Sequence, residues 1–478
     1  MEDPVGKLLI REGLISPSQL VQAKTHSKQN DGELRDSLIS LGFLTSETLN
    51  LILNPRPPIP LKIINTGLNE IFLTDLLLKA AYQEAGTFTL NIISKILCLS
   101  FSIIDELIEL LKKDQLIAIR SATGYGRETQ MFELTQRGRK RAEAALNNSL
   151  YVGAAPVPLK DYMRMLTLQH IQQIEIDSEW ICHSLQHMVV GKQLLNQLGP
   201  AFSSGRSIFL YGPPGTGKSS ISEALGLALR DQIYIPQAVA ISGQVIRLYD
   251  PSVHFSVEDE IQKETVLDAK ANLQHDPRWK KCRRPVVMVG GEFTLDMLDL
   301  RFDTISKFYE APIQMKAANG VFILDDFGRQ KTTPREMLNR WIVPLERGTD
   351  FLSLHNGIKF EIPFDQISIF CTNMHPMDLV DEAFLRRIRH KIRMPYSTEE
   401  EFKEIFHRVC NTEGIEYDEN VINYFIDKYY HKENKGLTGS HARDIIDQII
   451  DFSRFLKRPP ALTTASVDAA AANYFVES

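Results

Sequence analysis

The chain has 478 residues, 43% hydrophobic and 24% charged, enough apolar material for several cores, so its length predicts about three or four domains. Lys and Arg number 54 against 60 Asp and Glu, a net charge of −6, which excludes a general electrostatic pull toward nucleic acid or anionic lipid. Cys98, Cys182, Cys282, Cys371 and Cys410 are widely spaced and form no C-x-x-C pair, which excludes a disulfide framework and a zinc knuckle.

Met1, Glu2, Asp3 and Pro4 open the chain without a basic stretch leading into an apolar one. No segment reaches the roughly 18 apolar residues of a bilayer span. The expected location is cytoplasmic. Two Pro-rich stretches, 54–60 and 154–158, interrupt helical patterns and read as linkers that divide the chain into three parts.

Residues 1–54 hold an internal repeat. Val5, Leu9, Ile10, Gly13, Leu14, Ile15, Ser16 and Leu20 recur 29 positions later as Leu34, Leu38, Ile39, Gly42, Phe43, Leu44, Thr45 and Leu49. Each copy predicts a helix ending at a glycine of positive φ, then a Ser or Thr that caps the next helix, with Pro17 in its first turn. The pattern Gly13, Leu14, Ile15, Ser16, Gln19, Leu20 resembles the small all-α N-terminal domain of type II secretion and type IV pilus assembly ATPases. Some of those bind cyclic di-GMP through a tandem R-L-G-x-x motif. Here Pro4 and Glu33 replace the arginines and Arg35 a glycine, so no guanidinium fork is available to the guanine. The expectation is a docking domain for a protein partner and not a cyclic di-GMP site.

Residues 62–148 alternate helix and short strand in the order of a winged-helix-like α+β domain. Helices are predicted over 71–85, 91–97 and 101–113, strands over 88–90, 116–122 and 129–134, a wing turn at 123–126, and a last helix capped by Thr135. A DNA-reading third helix needs Arg, Lys, Asn or Gln. This one carries Asp105, Glu106 and Glu109. Arg137, Arg139, Lys140 and Arg141 fall on the final helix, a solvated face. The expected partner is again protein, not DNA.

The chemistry lies further on. An apolar strand over 207–211 runs into Gly212, Pro213, Pro214, Gly215, Thr216, Gly217, Lys218 and Ser219, then Ser220 and an Ala- and Leu-rich helix. Strand, glycine loop and helix form the setting that makes this motif specific. Glycines let successive N–H groups converge on phosphate oxygens, Lys218 adds a point charge, and Ser219 offers a hydroxyl to Mg²⁺. ATP and Mg²⁺ are the expected ligands.

A second strand, 320–324, ends in Asp325 and Asp326, a hydrophobic run with acids of the Walker B kind. Asp325 is the expected metal ligand with Ser219. A third strand, 367–371, ends in Asn373; Asp381 to Arg387 follow, with a basic pair at Arg386 and Arg387. Helices without strands come next, one with a capping box expected at Ser397 and Glu400, one capped by Asp418, and one opening at Gly439 with Arg443 in its first turns.

In this order the elements resemble an AAA+ P-loop ATPase, and Phe384, Leu385, Arg386, Arg387 and Ile388 together with 319–326 resemble the MoxR-like group. The resemblance covers about 190–478 and implies an α/β parallel-sheet core (160–395) and a helical lid (396–478). It also implies roles: Asp326 and Asn373 orient the attacking water, Arg387, or Arg386 beside it, reaches a neighbouring subunit's γ-phosphate, and Arg443 reports that phosphate to the lid. Such fingers contribute orders of magnitude in rate and require a homo-oligomer, expected to be a hexamer. At 326 the family has Glu; Asp is shorter by about 1.5 Å, and misplacement on the order of 1 Å costs about a hundredfold.

Residues 237–313 fit no pattern beyond an extra strand or hairpin over 284–291. His183 and His187, four apart, lack the H-E-x-x-H glutamate and a third ligand; 177–188 reads better as the helix entering the core, with 188–192 bordering the base. The expected function is hydrolysis of Mg-ATP to remodel, load or regulate a protein complex. The alternatives are a slow ATP-dependent switch and a DNA-associated regulator.

Overall fold

The computed structural model describes residues 6, 9–10, 13–29, 34–46, 49, 55–122, 130–174, 176–257, 275–432 and 435–475. In the front repeat one turn occurs twice, before α1 (Pro17–Gln29) and after α2 (Leu34–Ser40). Gly13 and Gly42 both hold φ at 69°. Leu14 N donates to Leu9 O, and Phe43 N to Leu38 O, each at 3.0 Å, so both preceding helical turns end in a left-handed cap. Ser16 and Gln19 then form a reciprocal capping box at the start of α1. Leu9, Ile15, Leu20, Leu38, Leu44 and Leu49 close a small core. Pro4 and Glu33, expected at the altered motif, lie outside the described residues.

The middle part runs α3 (Glu70–Gln83), β1 (Thr87–Thr89), α4 (Leu90–Leu97), α5 (Phe101–Lys113), β2 (Ile117–Ala122), β3 (Gln130–Leu134) and α6 (Gln136–Asn148). Its antiparallel sheet has the order β1-β3-β2. Asn69, Thr89 and Thr135 cap α3, α4 and α6 through their side chains. The turn expected at 123–126 lies outside the described residues. A short helical turn, Ile63–Thr66, and the chain before it lie across α5: Ser102 Oγ donates to Leu61 O at 3.1 Å, and Ile63 N to Glu106 Oε2 at 3.3 Å.

The stretch 154–158 is not a linker. Ala154, Ala155 and Val157 are buried, and Val157–Pro158 form β4. After β4 come α7 (Leu159–Leu168), α8 (Ser178–Ser184), α9 (Lys192–Ser203), β5 (Ile208–Tyr211) and α10 (Lys218–Leu227). Next lies a β-rich insertion: β6 (Gln232–Pro236), β7 (Ala238–Ile241), β8 (Gln244–Arg247) and β9 (Trp279–Arg283). Strand β4 pairs in parallel with β7, at the edge of the sheet β11-β12-β8-β7-β4, where proline is tolerated because no further strand needs its missing N–H. In that sheet β11 is Arg301–Phe302 and β12 Tyr309–Glu310.

Asp276 and Arg278 between them fix both proline stretches to this insertion. The Arg278 side chain is 4% exposed and pairs with Asp276, 2% exposed, at 2.8 Å. It also donates to Thr66 O at 3.1 Å and Pro156 O at 3.4 Å, while Asp276 N donates to Pro57 O at 2.9 Å. Ala238 and Val245 of the insertion share the core of the middle part with Leu97, Tyr151 and Ala155.

The central sheet is all parallel, in the order β10-β13-β16-β5-β17, where β10 is Val286–Val289, β13 Val321–Leu324, β16 Ile367–Thr372 and β17 His390–Arg393. The stretch 284–291 thus supplies an edge strand of this sheet. Strands β13 and β16 are buried throughout, as their unbroken apolar runs require when both faces are covered. Ile208, Leu210, Ile323 and Ile369 meet Leu198 of α9 and Ile221 of α10. Phe209, Phe322 and Phe370 meet Trp341 of α11 (Pro334–Arg347) on the other face. A hairpin of β14 (Thr349–Ser353) and β15 (Lys359–Pro363) precedes β16.

The C-terminal helices are α12 (Glu399–Glu413), α13 (Glu419–Ile426), α14 (Gly439–Phe455) and α15 (Thr464–Tyr474). The box expected at Ser397 and Glu400 sits one residue later. Thr398 Oγ1 accepts from Glu401 N at 3.2 Å, and Thr398 N donates to Glu401 Oε2 at 2.9 Å. Ser397 N is committed instead to Leu437 O at 2.9 Å, which joins the strand exit to the approach of α14.

Removing Arg278 leaves Asp276 buried without its partner, a loss of about 3–5 kcal/mol. Arg278→Ala is expected to lower stability by that order in urea unfolding and to open residues 149–160 to limited proteolysis. Arg278→Met combined with Asp276→Leu is expected to recover most of the stability.

Candidate nucleotide-binding site

The C-terminal ends of β5, β13 and β16 meet at one cleft of about 590 Å³. From β5 the chain turns through Gly212, Gly215 and Gly217, with φ of 149°, 74° and 84°. At Gly212 a Cβ would come within 2.1 Å of Met394 O, and at Gly215 within 2.3 Å of Ser440 Oγ. No larger residue keeps this path. Gly217 caps α10 without a side chain, so the first N–H groups of the helix are left for an anion.

Lys218 is buried, and its Nζ donates to Gly212 O at 3.1 Å and Pro213 O at 2.7 Å. Burial pulls its ammonium below the usual lysine range, opposed in part by Asp325 and Asp326. Ser219 Oγ donates to Asp325 Oδ1 at 2.7 Å, and Asp326 N to the same oxygen at 3.0 Å. Asn373 Nδ2 donates to Asp326 Oδ1 at 3.2 Å. Asp326 holds φ at 48°, a left-handed geometry that costs about 1–3 kcal/mol and tends to occur where function fixes it. Phe327 N on Cys371 O and Thr372 Oγ1 on Phe327 O, both at 2.7 Å, tie the ends of β13 and β16 together.

Pro214, Gly215, Thr216, Gly217, Lys218, Ser219 and Ser220 line the cleft with Asp325, Asp326, Asn373 and Arg443. Gly212 and Pro213 stand behind it, their carbonyls on Lys218. Arg443 arrives from α14, whose Ser440 N donates to Gly215 O at 3.2 Å. Met188, Val189, Ile405 and Val409 make the apolar end, suited to a flat base. Arg408 is a residue the sequence did not reveal: its Nη1 donates to Gln186 O at 2.8 Å and Met188 O at 3.2 Å, and its Nε to Glu404 at 2.7 Å. The Glu404 and Arg408 spacing alone reads as an ordinary helix-surface pair.

Arg386 and Arg387 do not reach this cleft. They line a separate recess with Arg206 and Arg389. Arg387 Nε donates to Glu346 at 2.6 Å, and Arg386 pairs with Glu382 at 3.1 Å. His183 meets Arg230 at 2.9 Å. Among the described residues no group of three or more His, Cys, Asp or Glu side chains could hold a metal. One hydroxyl and one carboxylate in contact, Ser219 and Asp325, do fit Mg²⁺, which takes one or two protein oxygens and completes its shell with phosphate and water.

Residues 398–473 match a family model described as Domain of unknown function (DUF8689), and residues 110–232, which include the phosphate loop, match Parvovirus non-structural protein NS1. No curated protein matches the chain. Among solved structures, similarity extends to the Thermotoga maritima RuvB Holliday junction branch migration motor, at 13% identity and TM-score 0.33 over 59% of this chain and 70% of that one. Domain III of the Thermotoga maritima replication initiation protein DnaA is similar at 13% identity and TM-score 0.32, over 63% and 99%. No helix among the described residues is long and apolar enough to cross a membrane.

Gly212→Ala forces a methyl against Met394 O. Overpacking of about 1–3 kcal/mol is expected to weaken a fluorescent ATP analogue roughly ten- to hundredfold in an anisotropy titration.

Proposed function

We propose that this chain is an AAA+ ATPase that binds and hydrolyses Mg-ATP to drive or regulate a protein assembly. The observation that carries the reading is the convergence of the glycine loop, the Ser219 and Asp325 pair, the Asp326 and Asn373 pair and Arg443 of the helical layer on one cleft.

In this reading the backbone N–H groups of 214–219 and the end of α10 hold the polyphosphate. Lys218 leaves the carbonyls of Gly212 and Pro213 for the outer phosphates, exchanging neutral acceptors for charged ones. Ser219 and Asp325 would hold Mg²⁺, which would supply positive charge to offset that of the phosphates. Asp326, positioned by Asn373, accepts the proton of the attacking water and aims it in line. Arg443 ties the phosphate to α14, so nucleotide state sets the angle of α12–α15 against the sheet. Arg387 and Arg386, remote from their own chain's cleft, serve a neighbour's in a homo-oligomer, proposed as a hexamer.

The middle part is proposed to be a winged-helix-like module that meets protein and not DNA. The chain at 61–63 lies on α5, and Glu106 already accepts Ile63 N, so α5 cannot enter a groove as it stands. The front repeat is proposed as a second docking domain, with a secretion or pilus component among its candidate clients by resemblance alone. A cytoplasmic location accords with this reading.

Lys218→Ala is expected to abolish ATP binding, while Arg387→Ala keeps binding and stops hydrolysis; normal phosphate release by Arg387→Ala would remove the role in trans. A slow switch is the second reading, favoured by the short arm of Asp326. Asp326→Glu is expected to raise steady-state phosphate release by up to about a hundredfold, and fast turnover by the unaltered protein would end the switch reading.

A further inference from the structure

Strand β17 ends the central sheet and pairs with β5 alone. Its register sets His390 opposite Ile208 and Ile392 opposite Leu210, and Met394 N continues the ladder onto Tyr211 O at 2.8 Å. In a parallel ladder only alternate residues bond to a given neighbour. The N–H and C=O groups of Lys391 and Arg393 therefore face away from the sheet, an open edge that can pair with another chain.

In front of this edge lies a recess of about 680 Å³, with Gln193, Asn196 and Gln197 of α9 on its far side. Arg389, Lys391 and Arg393 line it, and no carboxylate does. Lys391 Nζ is held by Leu385 O at 2.7 Å and Ile388 O at 2.6 Å. Among the described residues, no carboxylate pairs with the guanidinium groups of Arg389 and Arg393. Edge strands commonly carry charge as protection against association, but that purpose needs no concave, carboxylate-free recess beside the edge. Residues 383–398 contain no Asp or Glu at all.

We propose that this recess docks an extended acidic peptide segment of a partner protein, which adds a strand to β17 and sets its carboxylates against Arg389 and Arg393. Main-chain pairing supplies affinity, and alternate side chains supply selectivity. The amides of Gln193, Asn196 and Gln197 can donate or accept on the opposite side. A nucleic-acid strand matches less well. Its backbone has no N–H to complete the edge, and Tyr211 is the single Phe, Tyr or Trp ring in the lining on which a base could stack.

The test uses the full chain and fluorescein-labelled probes read by anisotropy: a short peptide of alternating Glu and Val, a peptide of alternating Glu and Pro with the same charge, and oligo(dT) of similar length. The Glu-Val peptide is expected to bind saturably. Arg389→Glu with Arg393→Glu is expected to weaken it at least about tenfold through like-charge contact, with the affinity for a fluorescent ATP analogue unchanged. Arg389→Gln with Arg393→Gln, which keeps size and polarity, is expected to give a smaller loss with an unchanged melting curve, so that the effect is separated from damage to the sheet. The Glu-Pro peptide, which cannot donate along the edge, is expected to bind more weakly than Glu-Val. Equal binding of the two peptides overturns strand addition, and tighter binding of oligo(dT) makes the recess a nucleic-acid surface instead. Absence of saturable Glu-Val binding, or binding indifferent to both double substitutions, overturns the site itself.

Discussion

The parallel register that places β16 between β5 and β13 is the constraint on which the site depends. Phe209 stands opposite Phe370, and Phe370 opposite Leu324, so the three strands end within two residues of one another. The glycine turn leaves from the first, the two aspartates from the second and Asn373 from the third. A slip of one residue would turn every apolar side chain of a strand to the wrong face, and burial on both sides of β13 and β16 makes that slip costly. The hydrogen bonds between Ser219 and Asp325 and between Asn373 and Asp326 are consequences of this alignment and not its cause.

What could be read from the residues divides along physical lines. The glycine turn was legible because its geometry is written in consecutive residues: three positions of positive φ, then a helix start. The repeat was legible for the same reason, and Gly13 and Gly42 share one dihedral. The capping box over 397–401 was misread by one position because Ser397 and Thr398 both suit a cap, and the choice is made by Leu437, far along the chain. The stretch 154–158 was misread because proline content marks a break in helix, while the partner that turns it into a strand, β7, lies some eighty positions later. Within the insertion one local signal was available. Ser242 and Gly243 join β7 to β8 with φ of 48° and 78°, the two-residue turn that closes a tight hairpin. The rest of that region is held by distant pairings that no local pattern announces. Arg408 belongs to the same class, since only the folded chain brings α12 to the carbonyls of Gln186 and Met188.

The cleft is made from two layers. Its floor is the sheet and glycine turn; one wall is the start of α14, which meets the turn through Ser440 N and Gly215 O. Under the proposed function, a ligand that spans both sides would exchange this modest contact for charged ones, and binding energy would be converted into a change of angle.

The buried Arg278 and Asp276 pair has a mechanical meaning. Its two residues hold carbonyls of 57, 66 and 156 at once, the first through Asp276 N and the others through the Arg278 side chain, so the chain is tied to the insertion at both ends of the middle part. Under the proposed function, a client seated there would be gripped by a handle and not held on a leash: rotation of the core would arrive as torque, undiluted by slack.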